Sequence, residues 1–302
     1  MKEIVSVIIP SYGGGTMIER CVDSVLNQTY PYVEVIVVDD NGLGTPEQQN
    51  TQNALKKYVN DSRVKYVCHS VNRNGSAARN TGVKNSTGNY IALLDDDDIY
   101  YPTNIEEHMK VLPYLSDEYA LTYCGLDEYV KDQRIREIQR SFSGQDLYKI
   151  LMHRVVIGST SMCIRKSAWE KIGGFDESFR RHQDWEFSAR IMAYYKVCAL
   201  SHIGSRRYLE FRNTPKNPWV AIENRKYYID KMQPLISTLS VKQQKDVVVY
   251  NMLDALFELF KNQYYRDYAK EYFKLRPGYR GVVFFLRRLY KIASRGYGQI
   301  KF

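Results

Sequence analysis

Strand-length apolar runs alternate with segments of helical period through the first hundred residues, and no other feature constrains the fold as much. Residues 3–9, 33–38, 64–68 and 90–94 are short runs rich in β-branched and other apolar residues. Between them, residues 17–28 place Ile18, Cys21, Val22, Val25 and Leu26 on one helical face, and residues 48–59 and 76–84 also read as helices. Such strands, joined by helices, predict a parallel sheet covered on both faces. The turns that begin at Ser11, Asp39 and Asp95 then gather on one edge of that sheet. Open α/β sheets bind their ligands at this edge.

That edge is acidic. Tyr90-Ile91-Ala92-Leu93-Leu94 runs directly into Asp95-Asp96-Asp97-Asp98. Adjacent carboxylates repel one another, and a hard divalent cation such as Mg²⁺ or Mn²⁺ is the usual compensation, itself able to carry substrate phosphates. An acidic run can also be a solvated loop, but its place at the carboxyl end of a buried strand favours the ligand reading. Tyr100-Tyr101-Pro102 closes the turn, and Thr103 is placed to cap the next helix. Ser11-Tyr12-Gly13-Gly14-Gly15-Thr16 is glycine-rich but matches neither G-x-G-x-x-G nor G-x-x-x-x-G-K-[ST], which argues against a dinucleotide dehydrogenase or a P-loop enzyme.

Beyond residue 119 the pattern becomes mixed. Residues 120–130 and 135–139 read as strands, 144–153 as a helix and 162–164 as a short strand. Residues 166–172 form a short helix stopped by Gly173-Gly174, 184–195 an amphipathic helix, and 197–202 a further strand. From residue 218 the chain is helical, aromatic and basic. The first 219 residues carry 27 Lys and Arg against 27 Asp and Glu, whereas residues 220–302 carry 16 against 7, so the whole net charge of +9 lies in the last part. Two regions follow, 1–219 and 220–302, the second suited to an anionic partner. Cys21, Cys68, Cys124, Cys163 and Cys198 are dispersed with no C-x-x-C pair, as for reduced thiols, and the five histidines show no ligand spacing. No run approaches the roughly 18 apolar residues of a membrane span. Met1-Lys2-Glu3 enters a strand directly, so a cytoplasmic protein without a leader is expected.

Six motifs occur in a fixed order: Ser6-Val7-Ile8-Ile9-Pro10-Ser11-Tyr12, Val37-Val38-Asp39-Asp40-Asn41, Ala78-Arg79-Asn80-x-Gly82, Leu94-Asp95-Asp96-Asp97-Asp98, Gly173-Gly174-Phe175-Asp176-Glu177 and Gln183-Asp184-Trp185-Glu186. In order and spacing the set resembles the family 2 glycosyltransferases of the GT-A fold, over about residues 4–212. The resemblance implies an α/β fold with a mixed, mainly parallel sheet flanked by helices, here followed by a C-terminal helical extension. It implies an inverting, metal-dependent hexosyl transfer from a nucleotide sugar, a UDP-sugar by preference. The acceptor would be a saccharide or lipid-linked saccharide in bacterial surface-polysaccharide or capsule assembly. Position by position, Pro10 and Tyr12 would line the nucleotide pocket, Asp40 would accept the imide N–H of the base with Asp39 beside it, and Arg79 would contact the donor's phosphate or sugar. Asp97, with Asp95 of the same Asp-x-Asp motif, would hold Mn²⁺ or Mg²⁺; Asp95 or Asp96 would meet the ribose or a metal-bound water; Asp184 would be the catalytic base. The family's usual Glu-Asp pair is Gln183-Asp184 here, and Arg212-Asn213-Thr214 stands where many relatives carry Arg-x-His, so no histidine ligand is implied.

The implied chemistry is coherent. A divalent cation stabilises the charge that builds on a leaving diphosphate, and a carboxylate can take the proton of the attacking hydroxyl. One carboxylate and one metal, with no enzyme nucleophile, describe a single displacement with inversion. Plainer roles stand beside these. Asp40 can be a turn residue, Asp184 a helix cap, and Arg79 a bridge from helix to sheet. Trp185 and Trp219 can stack on acceptor sugars or simply be core, and Gly158-Ser159 and Gly173-Gly174-Phe175 can shape an acceptor floor or only turn the chain. His69, His108 and His153 receive no functional role. A catalytically inactive nucleotide-sugar-binding scaffold is opposed by the intact Asp-x-Asp and Asp184, and a nucleotidyltransferase by the lack of Lys or Arg between Ser11 and Arg20. Residues 280–292 mix Phe284, Phe285, Leu286 and Leu289 with Arg287, Arg288 and Lys291. Such a helix can lie on the anionic inner face of a membrane, or pack within a subdomain or a homodimer. No signal of a nucleic-acid-binding fold is present.

Overall fold

The computed structural model describes residues 3–13, 17–209 and 217–295, side chains at 279, 280 and 291–295 apart. The chain divides into two compact units, Met1–Arg212 and Asn213–Phe302. The stretches 14–16 and 212–214, singled out in the sequence, fall partly or wholly outside the described residues.

In the first unit β1 (Val5–Ser11), β2 (Val33–Asp39), β3 (Val64–Cys68) and β4 (Tyr90–Leu93) pair in parallel in the order β3-β2-β1-β4. The connections are α1 (Ile18–Leu26), α2 (Pro46–Ala54) and α3 (Gly75–Lys84). Val5, Val7 and Ile9 of β1 bury one face against Ile18, Cys21, Val22 and Val25 of α1. The two-residue period of a strand turns Ile8 to the other face. There α3 lies so close that a Cβ on Gly82 would stand 2.2 Å from Ile8 Cγ2. Both faces are thus covered, which is why these strands carry apolar residues on both sides.

The sheet then becomes mixed. β8 (Met162–Arg165) runs antiparallel to β4, and β6 (Tyr119–Val130) antiparallel to β8. β9 (Lys196–Tyr208) runs parallel to β6, the two-residue β5 (Ile99–Tyr100) antiparallel to β9, and β7 (Gln133–Ile138) pairs β6 as a hairpin. Helices α4 (Asn104–Met109), α5 (Leu147–Leu151), α6 (Lys166–Ile172) and α7 (Gln183–Tyr194) complete the unit. This is the expected mixed sheet flanked by helices.

Three local expectations are corrected. The helix expected over 144–153 is cut to α5, because Asp146 caps it by accepting from Lys149 N at 2.9 Å while Gly144 bridges to Val197. The strand expected over 197–202 continues to Tyr208, because β6 and β5 supply partners for its second half. Thr103 stands before α4, but its side chain makes no capping bond. Gln28 Oε1 accepts from Ile105 N at 2.9 Å there instead.

The second unit is helical: α8 (Trp219–Lys231), α9 (Gln233–Ile236), α10 (Val241–Lys261), α11 (Tyr265–Leu275) and α12 (Gly278–Arg295). A capping box of Ser240 and Gln243 starts α10. The buried Arg225 joins α8 to α10 by donating to Asn251 Oδ1 and Asp254 Oδ2, each at 3.0 Å. Phe257, Phe260, Tyr268 and Phe285 form an aromatic cluster, with the Phe260 and Phe285 rings 4.9 Å apart. Outside it, Val282, Val283, Leu286 and Tyr290 of α12 are exposed. Among the described residues no helix is long and apolar enough to cross a membrane.

Candidate active site

The parallel strands end side by side, Ser11 in register with Asp39. Three turns are then fastened to one another. Tyr12 N donates to Asp96 Oδ2 at 3.2 Å, and Gly13 N to Asn41 Oδ1 at 2.6 Å. Tyr12 itself is exposed, 66%, while Pro10 is half-buried in β1 beside Val38.

Asp39 and Asp40 are buried at the end of β2. Asp39 accepts from Asn41 N at 3.0 Å, Asn41 Nδ2 at 2.9 Å and the Tyr66 hydroxyl at 2.8 Å. Asp40 meets His69 Nδ1 at 2.7 Å, Arg73 N at 2.8 Å and Asn72 Nδ2 at 2.9 Å. An ionised carboxylate has about four acceptor positions, so each of the two keeps about one beyond these donors. His69, given no role from sequence, orients Asp40 and is itself held by Thr81 Oγ1 at 2.9 Å.

The four consecutive aspartates separate sharply. Asp95 Oδ1 accepts from Arg79 Nη2 at 2.6 Å, and the Ser159 hydroxyl reaches the same carboxylate at 3.3 Å. Asp96 is held by Tyr12 N. Burial, helped by the charges of Asp97 and Asp95, pushes the Asp96 carboxyl up to about 7. Asp97 is half-buried, and its carbonyl accepts from Arg20 Nη2 at 3.0 Å. Asp98 is buried and turned away, accepting from Tyr208 N at 3.0 Å and the Thr160 hydroxyl at 2.9 Å. Burial, then the charges of Asp95 and Asp97, pushes its carboxyl up as well. Asp98 therefore ties the turn to the end of β9.

Arg79 is the hinge of the site. Asn74 starts α3 by accepting from Ser76 N at 2.9 Å and Ala77 N at 3.3 Å. This brings Arg79, only 9% exposed, between Asp95 and Gln183, whose Oε1 accepts from Nη1 at 3.0 Å. The next residue, Asn80, clasps the turn before α7. It accepts from Phe175 N and donates to Phe175 O, each at 2.9 Å. Gly174 admits this clasp, because a Cβ there would stand 2.5 Å from Asn80 Oδ1. The Gly173-Gly174-Phe175 motif thus positions the α7 entry.

Asp184 sits in the first turn of α7, one residue beyond Gln183, and accepts from Trp185 N at 3.0 Å. It is not the cap, a position taken by His182 in the left-handed region with φ 61°. Burial pushes its carboxyl up to about 6, with the Arg79 charge opposing and the Asp95 charge adding. A pocket of about 250 Å³ is lined by Arg79, Asp95, Ser159, Gln183 and Asp184, together with Arg180, Arg181 and His182. Trp185 is half-buried, with its ring against those of His153 and His182 at centroid distances of 4.0 and 4.1 Å. Trp219 begins α8 in the second unit. Ser159 and Arg20 are the contributors that the motifs alone did not rank. Ser159 lay in a glycine-serine stretch, but its partner Asp95 is 64 residues away.

The sheet edge thus brings an Arg-held acidic turn and the half-buried Asp184 carboxylate to one pocket. The chain matches the family described as glycosyl transferase family 2 over residues 6–197 and belongs to it. It is similar to an uncharacterized glycosyltransferase of Rickettsia prowazekii, 31% identical over 193 residues, or 61% of this chain and 57% of that one. It is also similar to the glycosyltransferase GlyG of Streptococcus pneumoniae, 37% identical over 131 residues and 42% of each chain. The chain thus spans little more than half the length, or less, of these relatives. In fold it resembles TarS of S. aureus, with a TM-score of 0.61 at 17% identity over 84% of this chain and 72% of that one. It likewise resembles the mannosyltransferase PcManGT of Pyrobaculum calidifontis, solved with GDP-Man and Mn²⁺, with a TM-score of 0.62 at 16% identity over 97% of this chain and 81% of that one.

Proposed function

We propose that this chain is an inverting, divalent-metal-dependent transferase that moves a hexosyl group from a UDP-sugar to a saccharide or lipid-linked saccharide hydroxyl in surface-polysaccharide assembly. The observation that carries the reading is Arg79. Its guanidinium bonds Asp95 at 2.6 Å and Gln183 at 3.0 Å, so the donor-side turn and the helix bearing Asp184 meet across one pocket.

The acidic turn offers oxygen ligands, carboxylates above all, which fits a hard cation; burial first, and the neighbouring aspartate charges second, raise the Asp96 and Asp98 carboxyls there. Asp97 and Asp95 would hold Mn²⁺ or Mg²⁺, which supplies Lewis-acid stabilisation of the leaving diphosphate. Arg79, fixed at both ends of its guanidinium, keeps positive charge beside the same phosphate. Pro10, Tyr12 and the turn built on Asp39 receive the nucleoside, with the remaining acceptor position of Asp40 for the base imide. Asp184 takes the proton of the acceptor hydroxyl. With its carboxyl at about 6 it is ionised at neutral pH yet a stronger base than a solvated aspartate. TarS has been solved with UDP-GlcNAc, which supports a UDP donor.

The exposed Val282, Val283, Leu286 and Tyr290, on a helix that also carries Arg287 and Arg288, support peripheral contact with an anionic membrane. The test is UDP release from a panel of UDP-sugars with Mn²⁺. Turnover is expected, with loss of several orders of magnitude in Asp97→Ala and Asp184→Asn, and donor binding retained in Asp184→Asn. Full activity in either variant overturns the residue roles, and turnover of GDP-sugars alone overturns the donor class.

A further inference from the structure

Two histidines and a cysteine without sequence spacing converge in the first unit, and they share no residue with the donor pocket. His108 of α4, Cys124 of β6 and His202 of β9 each place one ligand-type atom within 4.8 Å of the others. Asn104, the first residue of α4, stands among them. Its Oδ1 lies 3.1 Å from His202 Nε2 and 3.4 Å from Cys124 Sγ. Ligands at about 2.0–2.1 Å (N, O) and about 2.3 Å (S) from a tetrahedral zinc lie roughly 3.3–3.6 Å from one another. Both Asn104 separations are close to that size, and the widest spacing in the cluster needs to contract by about 1 Å.

The surroundings fit as well. His108 Nδ1 is held by Thr122 Oγ1 at 2.7 Å, the outer-sphere oxygen that fixes the tautomer and aim of a metal-bound imidazole. Gly204 walls the cluster closely: a Cβ there would meet Asn104 Oδ1 at 1.9 Å and Cys124 Sγ at 2.5 Å. His108 and Asn104 are buried, while His202 is partly exposed and gives an ion a way in.

We propose that His108, Cys124, His202 and Asn104 form a structural site for a borderline-soft divalent cation of the Zn²⁺ class, which fastens α4 to β6 and β9. A thiol with two imidazoles selects such an ion over Mg²⁺ or Mn²⁺, so the site is chemically distinct from the acidic turn. Binding forms the metal–sulfur bond as the Cys124 proton leaves to solvent. Without an ion the same side chains are a hydrogen-bonded polar cluster in the core, and the experiment separates the two.

The full chain is stripped with a chelator and titrated with Co²⁺ in the presence of excess Mg²⁺. One equivalent is expected to bind with a near-ultraviolet thiolate-to-cobalt charge-transfer band. Zn²⁺ should displace it and raise the Tm. Cys124→Ser and His202→Gln should each lose the band, and Asp97→Ala should keep it. His202 is only partly buried, so His202→Gln serves where Cys124→Ser fails to fold. No thiolate band in the folded wild type, or a band that survives in His202→Gln, overturns the proposal.

Discussion

Cation binding at the acidic turn should be linked to protonation of Asp96. Its carboxyl is pushed up to about 7 in the folded chain, against about 3.9 in an unfolded one. Between those two values the folded state keeps a proton that the unfolded state has lost, so unfolding free energy falls as pH rises. Below about 4 both states are protonated and the penalty vanishes. Above 7 it is complete, and a difference of about 3 pKa units makes it at most roughly 4 kcal/mol. For a unit the size of Met1–Arg212 that corresponds to on the order of 10 °C in Tm. Asp98 acts in the same direction. A bound cation favours the ionised carboxylates and should remove most of the penalty.

The assay is thermal unfolding at pH 5 and pH 8, each with EDTA or Mn²⁺. In EDTA at pH 8, Asp96→Asn should be more stable than wild type, because the amide removes the buried charge and keeps an acceptor for Tyr12 N. At pH 5 the two should nearly coincide. The gain from Mn²⁺ in the wild type should be larger at pH 8 than at pH 5. Comparing wild type with Asp96→Asn at each pH cancels the titration of groups too distant to feel Asp96. An Asp96→Asn chain no more stable than wild type at pH 8 without metal would refute the reasoning, as would a Mn²⁺ gain equal at both pH values.

The acid limb of kcat/KM should fall near pH 6, since Asp184 must be ionised to act as a base, and the rate should be lost as pH drops through that value. Gln183→Glu places a carboxylate against Arg79 and beside Asp184, so it should move that limb to higher pH; an unmoved limb would assign it to another group. Gly82→Ala should cost about 1–3 kcal/mol by overpacking Ile8, read as a lower midpoint in urea, and an unchanged midpoint would mean that α3 can lift from the sheet at no cost. Removing residues 277–302 should weaken binding to phosphatidylserine-containing vesicles and spare UDP-sugar hydrolysis. Equal vesicle binding after truncation would sink the membrane role.

Much of the fold was legible because its signals are local. An apolar run of strand length needs no distant partner to be recognised, and the turns that end β1, β2 and β4 announce themselves by Gly and Asp. Partner choice is not local. Asp39 and Asp40 are conspicuous in sequence, but Tyr66, His69, Asn72 and Arg73, which fix them, come from 27 to 33 residues on. Trp185 reads in sequence as either a stacking ring or core, and only the fold shows His153 beside it. The length of β9 depends on β6 and β5, and nothing in residues 203–208 alone marks them as strand. His108, Cys124 and His202 lie on three different elements, so no spacing rule finds them.

The aspartate run shows how burial divides roles that sequence leaves undivided. The same charge repeated four times ends in four surroundings: an arginine for Asp95, a backbone amide for Asp96, a half-buried position for Asp97 and the end of β9 for Asp98. One turn of α3 sets much of this. Arg79 reaches the acidic turn and Gln183, while its neighbour Asn80 holds the Phe175 backbone that leads into α7. The acidic turn and the entry to α7 that carries Asp184 therefore take their relative position from a single helix. That helix is seated on Ile8 through Gly82, one turn beyond Arg79, where no side chain fits. The Ala78-Arg79-Asn80-x-Gly82 motif is thus a unit: its glycine sets how deep the helix sits, and its arginine and asparagine use that depth to join the two halves of the site.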